Sequence, residues 1–490
     1  MSAPQVCATC KKRKKRCDKR IPRCSYCAQR DIDCSYEYGT RPTSYTSSIT
    51  TPGSGSESAG EVAALGDSRV LSEERPHGYD RPPLVPPVQP FPLAPILDPT
   101  YFHTTSALAI FRIIDESGRS IEDISLLYFN GIHLWIPFFC PGRFRKDVLC
   151  YHSQPTAEFS LLLLCMCLLT QGSAPKPGRS TDHAMLYFYA KSFLAQLLAV
   201  LPTSIQLIQA GLFISMYEYA TLKSDQALMT IDTCIRIAYE LGIHKKPECP
   251  GWNEGWNTWW GLRIFERIFY CDATTREAPL ISTAPNNEDL LPHEVDELAW
   301  EQRLGWSGTL TPLRVTGVGC LGRAAQAVWL LDRVVEVIAS DPRNLSNLMA
   351  LDGELQQLLS ITMDKCQGRR GGHCGAVGTA IRALFILHQS ILHNNRTPID
   401  AQVQQHSEAA LNTVAQMVVD VARSHREIPE NDVDIISPIS RYIIRYALDH
   451  LYKTRYEDQK KWFQDVDALR ESLAKLATRW PAEERVQLRD

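Results

Sequence analysis

Six cysteines near the start of the chain constrain its fold more than any other feature. Cys7, Cys10, Cys17, Cys24, Cys27 and Cys34 are spaced C-x2-C-x6-C-x6-C-x2-C-x6-C, so one C-x2-C-x6-C unit is repeated with a shift of 17 residues. A Cys-x2-Cys pair lets two thiolates reach one ion from a tight turn, and zinc takes four ligands in a tetrahedron. Two separate tetrahedral ions would need eight ligands, so six suffice only when two sulfurs bridge both ions. The count closes with two zinc ions. A segment this short has too little core to fold unaided, and metal binding has to supply most of its folding free energy. The competing use of six cysteines is a disulfide framework. The other ten of the 16 cysteines argue against it, scattered as they are in settings such as Leu164-Cys165-Met166-Cys167-Leu168. Free thiols of that kind fit a reducing compartment and a small apolar role.

Charge is divided as unevenly as cysteine. Residues 1–34 hold ten Lys and Arg against three Asp and Glu, a balance of +7; from chain totals of 52 and 55, the remainder holds 42 against 52, a balance of −10. Such asymmetry points to a basic head that meets a polyanion and an acidic body that does not. Every residue between Cys10 and Cys17 is basic (Lys11, Lys12, Arg13, Lys14, Lys15, Arg16), and Lys19, Arg20 and Arg23 follow. Cations that neutralise phosphates release counterions and bind without regard to sequence. Reading sequence needs donors at base edges, and Lys or Arg to guanine O6 and N7 is the commonest pairing. A cationic run is often only a solvated or import patch, but one fixed between two metal ligands is oriented. Double-stranded DNA is the expected partner and the nucleus the expected location, with the same run able to serve as an import signal.

With these residues in view, the head resembles the fungal zinc binuclear-cluster (six-cysteine, two-zinc) transcription factors, which share Pro22 in the loop between the halves. The resemblance covers under a tenth of the chain. It implies a short helix after each Cys-x2-Cys pair, the first entering the major groove. It also implies Cys7 and Cys24 as the bridging ligands, base contact by Lys14 with Arg13 beside it, and phosphate contact by Arg16 and Lys19. The triplets read would be of CGG type, partly through main-chain carbonyls at this end of the helix.

Behind the head the composition changes twice. Residues 37–98 are rich in Ser, Thr, Gly and Pro, with too few large apolar side chains to offset ordering entropy, and read as a flexible linker. From 99 to 490 the spacing turns helical. Ile205, Ile208, Leu212, Ser215, Met216 and Tyr219 fall at three- and four-residue intervals, as do Ile231, Ile235, Ala238 and Leu241, with Gly242 placed for a positive-φ helix end. Ile381, Leu384, Leu387, Ile391 and Leu392 form a further face, and Ile439, Ile443, Ala447 and Leu451 another. Two breaks interrupt the pattern. The acidic 285–302 stretch reads as an exposed loop, and 367–375 as a connector that could divide the body. The expected fold is a two-zinc cluster domain (1–36), a disordered linker (37–98) and a large all-α domain (99–490) of roughly a dozen or more helices.

The body has a resemblance of its own. Ile205 to Glu218, Ile231 to His244, Trp259-Trp260 with Phe265 to Arg267, and the Leu-Pro-acidic segment near 291–297 are similar to the fungal transcription-factor regulatory domain. This implies control by a small-molecule effector or a partner protein and defines no effector residues. Read without the resemblance, Trp259 and Trp260 are core aromatics, and Arg236 and His244 are cap or surface residues at a helix end.

Other readings find less support. No signal peptide opens the sequence, and the apolar run Phe159 to Leu169 is shorter than the about 20 residues a bilayer needs, so no membrane is expected. The Gly-rich stretch 370–375 lacks a phosphate loop's Gly-Lys-Ser/Thr, and the 13 histidines show no metal spacing. An enzyme would need convergent titratable groups, which are not seen. Asn344 and Asn395 are glycosylation sequons in form only. Val62, Leu65, Val70 and Leu71 do not sustain heptads, which leaves monomer and homodimer open. The acidic 429–434 stretch reads as a solvated loop. The function expected is sequence-specific DNA binding, activating a fungal metabolic or secondary-metabolite gene set through the transcription machinery. The alternative is a zinc-headed scaffold or corepressor working through protein contacts.

Overall fold

The computed structural model describes residues 6–19, 24–30, 32, 34, 99–172 (except 152), 183–248, 252–274, 279–294, 308–341 (except 316), 344–366, 373–393, 400–454 and 458–481. Arg20, Pro22, Arg23, the linker with Val62, Leu65, Val70 and Leu71, and Asn395 lie outside them. The expected domain limits at 36, 98 and 367–375 fall on or beside undescribed residues. The chain divides into two units, Met1–Pro87 and Val88–Asp490, and the described residues of each have a core of their own.

The first unit carries two single-turn helices, α1 (Ala8–Lys12) and α2 (Ser25–Gln29), whose buried residues are cysteines. The second carries fourteen α-helices among its described residues. These are α3 (Pro99–Glu116), α4 (Ile121–Asn130), α5 (Pro141–Tyr151), α6 (Ala157–Thr170), α7 (His183–Val200), α8 (Ile205–Ala220), α9 (Ser224–Leu241) and α10 (Glu254–Asp272). They continue with α11 (Cys320–Ser340), α12 (Leu345–Cys366), α13 (Cys374–His393), α14 (Ala401–Ser424), α15 (Ile439–Lys453) and α16 (Gln459–Arg479). Strands are absent among the described residues apart from one isolated bridge, Leu290 to Thr309. Local chemistry sets many of the ends. Ser120 and Asp123 form a reciprocal capping box at α4, and Thr156, Ser204, Asn253, Asp400 and Asp458 cap α6, α8, α10, α14 and α16. Gly242 ends α9 in the left-handed region at φ 72°, as its position predicts.

From α6 to α16 each helix packs on the next in sequence, and the last elements return to the first half. Tyr442 of α15 stacks on Tyr219 of α8 with ring centroids 4.3 Å apart. Arg441 donates to the carbonyls of Ala220 and Trp480, at 2.7 and 3.0 Å. Trp135 donates to Asp434 O at 3.0 Å, and Arg479 reaches both Asp434 and the Leu169 carbonyl. The 429–434 stretch is exposed at Pro429, Glu430 and Asp432, as its acidity suggests, but it is not an irregular loop. A 3-10 helix, Glu430–Ile435, buries Val433 and holds Asp434 in an ion pair.

The predicted helical faces are all found in helices, but α8 departs from the amphipathic expectation. From Leu207 to Ala220 every residue is buried, because α6, α7, α9 and α10 all pack on it. Helix α13 is long and apolar enough to cross a membrane by length and composition. It is a core helix here, lying against α11, α12, α14 and α15, with Arg382 and His388 fully buried within it.

Helix α10 is buried on nearly every side and yet polar: Asn257, Thr258, Arg263, Glu266 and Arg267 are all inside. Much of what satisfies them is the described part of the stretch read from sequence as an exposed loop. The Leu290 carbonyl accepts from Trp256 and Trp260 at 3.1 and 3.0 Å, and Asn257 exchanges two hydrogen bonds with the His293 backbone. Asp289 pairs with Arg263 at 2.9 Å, and Glu266 accepts the Ile281 and Ser282 amides. Residues 281–293 therefore form a strap that leaves Asn286, Asn287 and Glu288 exposed, as expected of a loop, while its backbone on either side partners a buried helix; residues 295–302 lie outside the described residues.

Asp272 closes this system. Its carboxylate accepts two guanidinium bonds from the fully buried Arg382 and a hydroxyl bond from Tyr219 at 2.7 Å. Replacing Asp272 by Ala strands a buried cation, and breaking such a pair costs about 3–5 kcal/mol. Urea unfolding of D272A should show a midpoint lowered accordingly, and a midpoint within experimental error of the parent would remove Asp272 from this role.

Candidate metal centre and nucleic-acid interface

Each half of the head is built the same way. Cys7 caps α1 and Cys10 is its third residue, so the Cys7 sulfur accepts the Cys10 amide at 3.3 Å. Cys24 caps α2, and Cys27 takes the matching third position. The Cys-x2-Cys spacing thus sets two sulfurs on the first turn of a helix. The two helix ends share one bond. Lys14 lies in the left-handed region at φ 50°, its amide donates to Lys11 O at 3.3 Å, and the Lys15 amide donates to Cys10 O at 3.0 Å. This pair of bonds is a helix end that normally employs glycine. In the second half the Ile32 amide donates to Cys27 O at 3.2 Å, the equivalent bond 17 residues on. Asp18 ties the halves together by accepting the Ser25 amide at 2.9 Å and its hydroxyl at 2.5 Å.

The cysteines converge. Cys7, Cys10, Cys24 and Cys27 are fully buried, with Cys17 and Cys34 half-buried against them. Cys7 lies 3.8 Å from both Cys24 and Cys27, and Cys10 lies 3.6 Å from Cys24. Disulfide sulfurs would stand about 2.05 Å apart. Two thiolates on one tetrahedral zinc, at about 2.3 Å each, stand about 3.8 Å apart. Two four-sulfur groups, Cys7-Cys10-Cys17-Cys24 and Cys7-Cys24-Cys27-Cys34, each have their sulfurs within 4.8 Å of one another, and they share Cys7 and Cys24. The thiols divide: at Cys17 and Cys34 burial is outweighed by hydrogen bonds from neighbouring amides and thiols, which draw Cys17 down to about 7 and lower Cys34, while others hold their protons. Burial first, then neighbouring sulfurs, push Cys10 up strongly and Cys27 up to about 12. A cation that displaces those protons removes the conflict. The donor set is all sulfur, four-fold and compact, which fits zinc.

Around this centre the cations face water. Lys11, Lys12, Arg13, Lys14, Lys15 and Arg16 are all exposed, and none forms an ion pair with a described carboxylate. Arg13 is the C-cap of α1 and Lys14 follows it, so both occupy the carboxyl end of the first helix; Arg16 immediately precedes Cys17. Lys19 is half-buried and, like Lys14, left-handed, at φ 56°. The spacing of the cysteines carried the metal centre; nothing in it signalled the left-handed lysines or the Asp18 clamp.

In the body, Trp259 and Trp260 are core aromatics as their sequence context suggests, with exposures of 1% and 0%. Arg236 is exposed, and His244 is half-buried beside the rings of Tyr239 and Trp259. Sequence reasoning passed over the buried arginines Arg263, Arg267 and Arg382. The signal available was an Arg-x2-Glu-Arg pattern inside an otherwise apolar helix.

Residues 5–42 match the fungal Zn(2)-Cys(6) binuclear cluster domain, and residues 126–272 match the fungal specific transcription factor domain. The chain is similar to transcription factor BOA15 of Botryotinia fuckeliana (strain B05.10), with 28% identity over 158 residues, which is 32% of this chain and 83% of that relative. No solved structure matches. Together the cluster geometry and these matches make the head a zinc-binding, DNA-binding module.

Because the two units have separate cores, a chelator should act on only one of them. Removing zinc should abolish the protease resistance of residues 6–34 while the thermal transition of the helical body stays in place. Loss of both together, read by limited proteolysis and calorimetry, would contradict a metal-dependent head beside an independent body.

Proposed function

For a chain that belongs to the fungal zinc binuclear-cluster transcription factors, as this one does, we propose that the head holds two zinc ions bridged by Cys7 and Cys24 and reads CGG-type triplets in the major groove. The family is a class of regulators and not of enzymes. The observation that carries the proposal is the pair of four-sulfur groups sharing two members, since six ligands serve two tetrahedral ions only in that way. Cys10 and Cys27 belong to different groups yet stand 3.9 Å apart, so loading both ions has to spread that edge.

Lys14 and Arg13 are the proposed base readers. They end α1, they are exposed, and Lys14's left-handed backbone projects the chain away from the helix axis at that point. Arg16 and Lys19 are the proposed phosphate contacts, which fix register without specifying sequence. The protein would act in the nucleus as an activator of a fungal metabolic or secondary-metabolite gene set, engaging the transcription machinery. A homodimer through the helical body and a small-molecule effector within it are compatible with this reading. The domain limits proposed are 1–36, 37–98 and 99–490, with a subdivision near 367–375.

Purified full-length protein should contain two zinc ions per chain and recover CGG-like triplets from a random DNA pool. Lys14→Ala should lose about tenfold or more in specific affinity, the discrimination of one bidentate base contact. Arg16→Ala should weaken all sequences alike and reduce the salt dependence by about one counterion. An unchanged sequence preference in K14A would sink the assignment of Lys14, and one zinc per chain would sink the bridged cluster.

A further inference from the structure

Helix α7 turns an apolar face to solvent. Leu186, Ala190, Phe193, Leu194 and Leu197 are buried, and the residues it exposes are Ala184, Phe188, Ala195 and Ala199, with half-buried Ser192 completing the stripe. Lys191 is the helix's one Asp, Glu, Lys or Arg, and its Nζ is engaged by the fully buried Glu218, 2.6 Å from Oε1. A surface helix sets charged and polar groups toward water, and one that is apolar on both faces is expected to be covered on both.

Helix α3, which packs on α6 and α7, repeats the anomaly. It buries Phe102, Ile110, Ile113 and Ile114, yet Tyr101, Leu108 and Phe111 are 49%, 52% and 45% exposed. Together with Thr104 these lie at three- and four-residue spacing on one stripe. The Thr104 and Thr105 hydroxyls donate to the Thr100 and Tyr101 carbonyls at 3.0 and 2.8 Å, so the stripe's threonines are satisfied within the helix. With Phe188, 56% exposed, two touching helices leave four large apolar side chains in water. An apolar surface of this kind marks an interaction site.

The face is complementary to itself. A twofold interface sets one patch against its own copy. When α3 meets a second α3 antiparallel about Leu108, Tyr101 faces the partner's Asp115, Thr104 faces the partner's Arg112, and Thr105 faces the partner's Phe111. No like charges are opposed, and a phenol meets a carboxylate to which it donates. The place where the chain enters the body agrees. Cys34 is the last described residue of the head and α3 begins at Pro99, so residues 35–98, 64 in all, join the body at the edge of this stripe. Two copies paired there send both chains out from one interface. At about 3.3–3.6 Å per residue their reach far exceeds the roughly 34 Å between triplets one turn of DNA apart. Those 64 residues sustain no heptads of their own that would pair the copies instead.

We infer that α3 and α7 form the surface through which two copies of this chain pair, with the twofold axis at Leu108. A second copy as the occupant rests on the head being a triplet reader, as proposed above; the uncovered face is independent of that reading.

Sedimentation of the zinc-loaded full-length chain without DNA should show a dimer with a Kd on the order of 1 μM or tighter. Leu108→Asp sets two carboxylates together at the axis and should weaken pairing at least about 100-fold, as should Leu108→Lys. Mixing L108D with L108K should restore pairing. Phe188→Asp should weaken it too, whereas Phe463→Asp, equally exposed but on α16 against α14 and α15, should not. All three positions face solvent, so the thermal transition of each variant should match the parent. A dimer unaffected by L108D, no recovery on mixing, or a monomer at about 100 μM, roughly 100-fold above the expected Kd, each overturns this pairing. The monomer would leave the face to a different protein. Selection from a random DNA pool separates this from the reading of the head: the parent should recover paired triplets and L108D single ones. A dimeric chain that recovers no triplet sinks the DNA reading and leaves the interface standing, and a monomeric chain that recovers single triplets does the reverse.

Discussion

A buried helix that is rich in polar groups organises the body. Helix α10 has almost no solvent-facing side, and an uncompensated charge in such a place costs several kcal/mol. Its partners are therefore obligatory. Glu266 and Arg267 pair with each other at 2.7 Å and are then shared out, Glu266 to the strap amides and Arg267 to Asp332 of α11 at 2.6 Å and to the Ser282 and Thr283 carbonyls. Asp272 at the end of the same helix receives Arg382 from α13. One element thus fixes the position of the strap, of α11 and of α13. Residues 126–272, from within α4 to the end of α10, are the part that matches the fungal specific transcription factor domain, and these contacts fasten the later helices to it.

The head meets the same need, a specified structure, by the opposite means. Among the described residues its fully buried groups are cysteines, with only Tyr26 and Ile32 as further apolar side chains packed against them, and these sulfurs repel one another once ionised. Cations at the centre of the sulfurs turn that repulsion into the main attraction. The cost of left-handed lysines is tolerable on this footing. A non-glycine residue there costs roughly 1–2 kcal/mol, small beside the binding free energy of a structural zinc, roughly 10–16 kcal/mol in small zinc domains. The basic run is held in shape because its two ends, Cys10 and Cys17, belong to the sulfur cluster.

How much of this could be read from the sequence depends on how local the cause is. The cysteine spacing is local: a sulfur at the N-cap and another at the third helical position follow from C-x2-C, and the repeat predicts two such turns. Helix identity was legible for α8, α9, α13 and α15 because apolar periodicity reports one buried face. Burial on every face was not, since Ser215 and Gln209 look like the polar side of an amphipathic helix until α6 and α10 are seen to cover them. The paired acids within the acidic segments were missed for the same reason, although Glu288, Glu430 and Asp432 are exposed as expected. Asp289 and Asp434 are answered by Arg263 and Arg479, the one 26 and the other 45 residues away, and no window of sequence contains both partners.

The small size of α1 limits what the head can do by itself. A single-turn helix ended by a left-handed lysine offers base edges a short stretch of side chains, enough for about three base pairs if it reads as proposed. A given triplet recurs roughly once in 64 positions of random DNA, and each mismatch costs about 1–3 kcal/mol, far too little to single out one promoter among the competing sites of a genome. Exposed cations other than the proposed readers Lys14 and Arg13 would add affinity but no selectivity, because phosphate contacts are the same everywhere. Selectivity for particular genes therefore requires a second triplet read by a second copy, or a contact made by the helical body. Since the heptad pattern that would zip two linkers together is absent from the sequence between head and body, the burden of pairing, if a second copy is used, falls on the body. The surface of the helical unit is then where a second copy would have to pair.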